Sequence, residues 1–171
     1  ALRVEGLAPS VEARCASLRD AMAQFGPVEE LHFHNSRKLW QEIGNVSPFA
    51  ASDGPVWRLS VPPAEAPPVI AAIRGALEIE HFVDWGGGLI WLRVLEDRED
   101  AGAAIVRGAI AAGGGHATLI RAAEEMRRRV PVFQPQPDAL TSLSARIKDG
   151  YDPAHIMNPG RMVAGPAAGG A

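Results

Sequence analysis

With 171 residues, 47% of them hydrophobic and 22% charged, the chain can enclose a sizeable core and has the make-up of an ordinary globular protein. A net charge of −3 leaves no broad basic field for nucleic acid or an anionic membrane. No apolar run reaches the ~18 residues a membrane-spanning helix needs, and a single cysteine, Cys15, excludes an internal disulfide. A cytoplasmic, reducing compartment is the expectation, and no signal-peptide pattern opens the sequence.

Along the chain, Leu2 to Leu7 alternates apolar and polar residues, which predicts a half-buried strand. Pro9 and Ser10 then open a helix, with Ser10 as its N-cap. Val11, Cys15, Leu18, Met22 and Phe25 follow at spacings of four, three, four and three, a continuous apolar stripe that Gly26-Pro27 ends. That stripe places Cys15 on a core face, away from reactive exposure. Val28 to His34 reads as a second strand, and Ser36 to Ile43 as a short helix carrying Leu39, Trp40 and Ile43. After a turn-rich stretch, Pro55 to Val61 is a strand with Trp57, Leu59 and Val61 on one face and Arg58 and Ser60 on the other.

Pro67 and Pro68 fit only the first turn of a helix running to about Leu77. His81 to Trp85 and Leu89 to Val94 predict two strands in a tight hairpin through Gly86-Gly87-Gly88, since glycine accepts the positive φ of such turns. Asp97 to Ala112 reads as a helix ended by Gly113-Gly114-Gly115. His116 to Arg121 is a strand, Glu124 to Arg129 a short helix whose three final arginines complement its dipole, and Pro131 to Pro137 is extended. A last helix from Ala139 to Gly150 presents Leu140, Leu143 and Ile147. Residues 164–171 form an Ala/Gly/Pro tail expected to be disordered. The sum is an α+β fold, an antiparallel or mixed sheet with helices packed mainly on one face, in a single domain over 1–163. No internal repeat is present.

Few residues advertise chemistry. Neither glycine triplet has the strand-before, helix-after context of a phosphate loop, so turning the chain explains both. His32 and His34 would share one strand face, but a zinc site wants a third ligand, and the other histidines lie in separate elements without metal spacing. No metal site is expected. His116 opens a strand after a glycine turn, where its imidazole could act as general base or as hydrogen-bond partner to a ligand. The competing reading is a strand-start histidine bonded to backbone. Arg58 and Arg121 could hold a small carboxylate, against the plainer reading of surface charges or salt-bridge partners. Asp84, beside Trp85, reads most simply as a buried, hydrogen-bonded hairpin aspartate. Trp40, Trp57, Trp85 and Trp91 suit core or interface packing better than a flavin stack. A serine-nucleophile elbow is absent.

One ordered set of segments goes further. The run Asp152-Pro153-Ala154-His155-Ile156-Met157-Asn158-Pro159-Gly160-Arg161-Met162 is similar to the carboxy-terminal signature of FAD-linked oxidases of the vanillyl-alcohol oxidase type. Upstream, Trp57-Arg58-Leu59-Ser60-Val61-Pro62, then Asp84-Trp85-Gly86-Gly87-Gly88-Leu89-Ile90-Trp91-Leu92, then Gly114-Gly115-His116-Ala117-Thr118 appear in matching order. Together, over residues 2–163, they resemble the E subunits of bacterial glycolate oxidase.

The resemblance implies a cap-type carboxy-terminal domain, with the amino-terminal FAD domain absent from this chain. FAD would be bound by the full-length subunit and not by this chain alone. Implied partners are that FAD domain, a second FAD subunit and an iron–sulfur subunit, in a cytoplasmic complex peripheral to the inner membrane. The implied reaction is oxidation of glycolate to glyoxylate. His116 would then serve as catalytic base or flavin neighbour and Arg58 as carboxylate ligand, with Asn158, Arg161 and Trp85 on the cofactor side. Related 2-hydroxy-acid dehydrogenases bind a metal through a Glu-His-Gly motif, whereas here Gly115 precedes His116 and Ala117 follows it. Two other classes compete: a non-catalytic domain that bridges the complex, and an independent small-molecule-binding α+β module. An apolar surface exposed without the flavin domain would favour weak self-association.

Overall fold

The structure, a computed structural model, describes residues 1–160. These divide into two compact units, residues 1–47 and a second beginning at Pro48. Arg161 and the 164–171 tail lie outside the described residues.

The first unit is helical. Its α1 (Ala8–Met22) starts earlier than the position of Ser10 suggests: Leu7 stands at the N-cap with extended φ/ψ, and no side chain caps the helix. Pro9 is tolerated in the first turn, where its missing N–H would have no partner anyway. The stripe is real but shallow. Val11, Cys15, Leu18 and Met22 are the partly buried positions of α1, while Phe25, in the following 3-10 turn, is 78% exposed.

Neither strand expected in this unit forms. Leu2 to Leu7 has the alternation of a strand but no neighbour to take its backbone hydrogen bonds. It runs irregularly, with the Arg14 guanidinium donating to the Glu5 carbonyl at 2.5 Å. The stretch from Val28 is likewise irregular and leads into α2 (Phe33–Gly44). That helix absorbs His34 and leaves His32 at its N-cap, so the two histidines share no strand face. Leu39, Trp40 and Ile43 form its partly buried side, as their spacing predicts.

The second unit holds the core. After the short α3 (Ser47–Ala50) come β1 (Val56–Ser60), α4 (Ala66–Arg74), β2 (Ile79–Asp84), β3 (Leu89–Val94), α5 (Ala103–Ala111) and β4 (His116–Arg121). The sheet order is β2-β3-β1-β4, with every neighbouring pair antiparallel. The fold is α+β. Alternation in β1 sends Trp57 and Leu59 to one face, where cross-strand partners Leu92, Ile90, Leu119 and Ala117 join them, all fully buried. Val69 and Ile73 of α4 and Val106 and Ile110 of α5 complete this cluster.

Trp57 is tied down at both ends of its ring. Its indole N–H donates to the Ala101 carbonyl at 2.9 Å, and the Arg107 guanidinium lies 5.3 Å from its centre. Arg107 also donates to the carbonyls of Pro131 and Phe133, which fixes the extended 131–133 segment beside β4; there the Leu119 N–H donates to the Val132 carbonyl at 2.9 Å.

The helix expected from Asp97 begins only at Ala103. The Asp100 carboxylate accepts from the backbone N–H groups of Gly102 and Ala104, at 2.9 and 3.2 Å, and so holds the start of the helix, with Gly102 at the N-cap, six residues later than expected. The β2–β3 hairpin closes through one 3-10 turn, Trp85–Gly87. Gly87 adopts φ +109 there, and a Cβ on it would fall 2.5 Å from the Pro63 carbonyl oxygen, so only glycine fits. Finally, α6 (Glu124–Arg129) has the expected bounds, and α7 (Asp138–Tyr151) leaves Leu140, Leu143 and Ile147 44–54% exposed.

Candidate functional site

Because Trp57 and Leu59 face the helices, Arg58 and Ser60 face the other way. Register supplies their neighbours. Arg58 stands between Trp91 of β3 and Thr118 of β4, with Phe82 of β2 next in the row beyond Trp91. Ser60 stands between Leu89 and His116. One face of the sheet therefore collects Phe82, Trp91, Arg58, Thr118, Ser60 and His116, two aromatic rings beside a cation and three polar side chains, with Leu89 and Asp84 continuing the row of Ser60.

Arg58 is partly buried, yet among the described residues it makes no ion pair and no hydrogen bond. Its guanidinium carbon lies 5.5 Å from the ring centre of Trp85, the hairpin residue, whose indole is 64% exposed. Trp85 has φ +54, in the left-handed region, and its N–H donates to the Asp84 carboxylate at 2.7 Å. Asp84 is thus hydrogen-bonded in the hairpin, as its position suggests, but it is partly exposed and not buried, because the hairpin turn stands at the edge of the sheet. Arg93, on the same face, is committed: it pairs with Glu80 at 2.8 Å.

His116 is exposed at the start of β4. Gly115 makes that placement possible: with φ +153 it passes so close to β1 that a Cβ would lie 2.7 Å from the Ser60 carbonyl oxygen. Among the described residues no hydrogen bond holds the imidazole.

Arg121 does not join this group. It donates to the Phe49 carbonyl at 2.6 Å, the Ala50 carbonyl at 3.3 Å and the Ser52 hydroxyl at 2.8 Å. That grip holds the α3 turn, so that buried Phe49 packs its ring 5.5 Å from Phe82. With both terminal nitrogens on protein acceptors, Arg121 works as a structural latch, while its buried Nε has no hydrogen-bond partner among the described residues.

Asn158 belongs to the turn after α7, with φ +47, and no hydrogen bond links it to Arg58, Trp85 or His116 among the described residues. The residue that organises its turn carries no sequence signal beyond its place in the motif. The Asp152 carboxylate, buried, accepts from Lys148 Nζ at 2.6 Å and from the N–H groups of Ile156 and Met157 at 3.0 Å each. The Lys148 ammonium first, and those two N–H groups with it, outweigh the cost of burial and hold this carboxyl below the ordinary aspartate range.

The glycine triplets do not fit a dinucleotide. Gly86–Gly88 turns a hairpin and Gly113–Gly115 links α5 to β4, so neither aims backbone N–H groups from a helix N-terminus at a pyrophosphate. No group of three or more His, Cys, Asp or Glu side chains that could hold a metal occurs among the described residues. No helix among them is long and apolar enough to cross a membrane. A shallow, open depression of about 400 Å³ beside the end of α4, lined by Arg74, Leu77, Glu78, Ile79 and Glu96, lies apart from the residues above.

No protein-family model matches the chain. No solved structure matches it either. It is similar to the glycolate oxidase subunit GlcE of Escherichia coli (strain K12), with 33% identity over 129 residues. The match covers 74% of this chain and 31% of that protein, so the chain spans about a third of the relative's length. The similarity supports a relation to the glycolate oxidase subunits.

Proposed function

We propose that this chain is the cap-type, carboxy-terminal domain of an FAD-linked glycolate oxidase subunit and lends the substrate a carboxylate-binding sheet face. The observation that carries this reading is Arg58: a partly buried guanidinium with no carboxylate partner among the described residues, set between Trp91 and Thr118 and against Trp85. A charge left without an acidic partner in a half-desolvated place favours an anionic ligand, and arginine's planar fork matches a carboxylate in two parallel hydrogen bonds. Relatedness to a glycolate oxidase subunit makes that anion a small 2-hydroxy acid.

Oxidation of a 2-hydroxy acid removes a hydride from the α-carbon and a proton from the hydroxyl. FAD, bound by the complete subunit, would supply the hydride acceptor; the glycine turns of this chain offer it no pyrophosphate cradle. Arg58 fixes the carboxylate, and the exposed His116 imidazole, on the same face, takes the hydroxyl proton. Asn158 and Arg161 of the carboxy-terminal motif belong to the cofactor side in this reading. The second FAD subunit and the iron–sulfur subunit are the partners that carry the electrons on.

The test uses the complete protein assembled with its partners. Arg58→Ala should raise the KM for glycolate about tenfold or more, the cost of a lost charge-assisted hydrogen-bond pair, and Arg58→Lys should recover only part. His116→Ala should lower kcat and leave KM near the wild-type value. Unchanged kinetics in both variants would remove this face from the chemistry.

The exposed apolar stripe of α7 favours a second reading, a bridging domain of the same complex. Under it, Leu143→Glu or Ile147→Glu disrupts assembly, while Arg58→Ala and His116→Ala spare turnover.

A further inference from the structure

We infer that Trp85 is a positioning residue, whose indole holds the Arg58 guanidinium in the plane needed for a small 2-hydroxymonocarboxylate. The inference rests on Arg58 being the carboxylate ligand and adds what orients it.

Three observations meet at this residue. A bulky side chain at φ +54 is uncommon, because its Cβ crowds the backbone, and it persists only where the surroundings over-determine it. Here they do: Asp84 accepts from the Trp85 N–H at 2.7 Å, the Gly88 N–H donates to the Trp85 carbonyl at 3.2 Å, and the Val61 N–H donates to the Gly88 carbonyl at 3.1 Å. Gly87, packed against the Pro63 carbonyl, locks the same turn to the segment that follows β1. Yet the side chain so placed is not core. It is 64% exposed, and its ring lies 5.5 Å from Arg58.

A turn built at conformational cost that ends in an exposed indole over a lone cation is best understood through the cation. Stacked on a ring, a guanidinium spends its π-face and keeps all five N–H donors free at its edge. Those donors are the ones a carboxylate engages bidentately. The ring also removes water from one side of the charge, which strengthens the ion pair that forms. Trp85 therefore acts through Arg58 and touches no reacting atom.

The experiment is steady-state oxidation of glycolate by the complete assembled protein, with oxalate as a competitive probe, for Trp85→Phe, Trp85→Leu and Arg58→Ala. Trp85→Phe keeps a π-face and should stay within about twofold of wild type in KM and in the oxalate inhibition constant. Trp85→Leu keeps apolar bulk without the quadrupole, and should raise both about fivefold while kcat stays near wild type. Equal behaviour of the Phe and Leu variants, or a loss in kcat with KM unchanged, overturns the positioning role. An Arg58→Ala variant with unaltered KM and oxalate inhibition, or a wild-type protein that does not turn over glycolate, overturns the underlying reading and the inference with it.

Discussion

Arg58 and Arg121 stand on neighbouring strands of one sheet, and the same residue type does opposite work at the two positions. Arg121 has backbone carbonyls and a hydroxyl within reach and uses them to hold the α3 turn. Arg58, between Trp91 and Thr118 and against Trp85, has no hydrogen-bond partner among the described residues. Nothing in either tripeptide distinguishes them; the acceptors around Arg121 come from residues about seventy positions away. His81, by contrast, has a pH-linked consequence. Burial first, and the Arg74 charge second, lower its pKa from 6.5. Between 6.5 and the lower folded value, the unfolded chain binds a proton that the folded chain does not. Stability should therefore fall as pH drops through that window and level off below it. His81→Gln should flatten the change, read as urea midpoints at about pH 7.5 and about pH 5.

At the scale of elements, the carboxy-terminal motif is a capped turn before it is anything else. Asp152 gathers Lys148 from the last turn of α7 and the N–H groups of Ile156 and Met157 from beyond it. Its lowered pKa means this contribution is complete above the ordinary aspartate range and is lost as pH falls through the folded value. Asp152→Asn should speed amide hydrogen exchange at Ile156 and Met157 at neutral pH while leaving β1–β4 protected. Equal exchange in the two proteins would show that the turn holds without the carboxylate. The α5 boundary teaches the same lesson: Asp100 stops the helix short because its side chain serves the first N–H groups better than another helical turn would.

Over the whole molecule, stability concentrates in the second unit, where both central strands bury alternate residues against α4 and α5. Leu59→Ala removes a fully buried side chain at the middle of that layer and should cost about 2–5 kcal/mol in denaturant unfolding. The stripe of α1 has no buried residue, so Leu18→Ala should cost far less.

The four strands of the sheet, the helix opened by Pro67-Pro68, the hairpin through Gly86–Gly88 and the α+β class were legible in the sequence. Period-two burial and glycine or proline punctuation are local signals, and they survive without knowledge of the fold. Two further alternating segments, Leu2 to Leu7 and Val28 to His34, carried a strand's pattern and formed none. A strand exists only when a neighbour accepts its hydrogen bonds, and that neighbour is not written in the segment itself. The same limit applies to the candidate site. The sequence by itself determined which side chains alternate to the face away from the helices. Only the tertiary structure decided that Arg58 meets Trp85 while Arg121 is spent on the α3 turn, because side-chain partners are chosen by register and closure across the sheet, over separations that no local pattern spans.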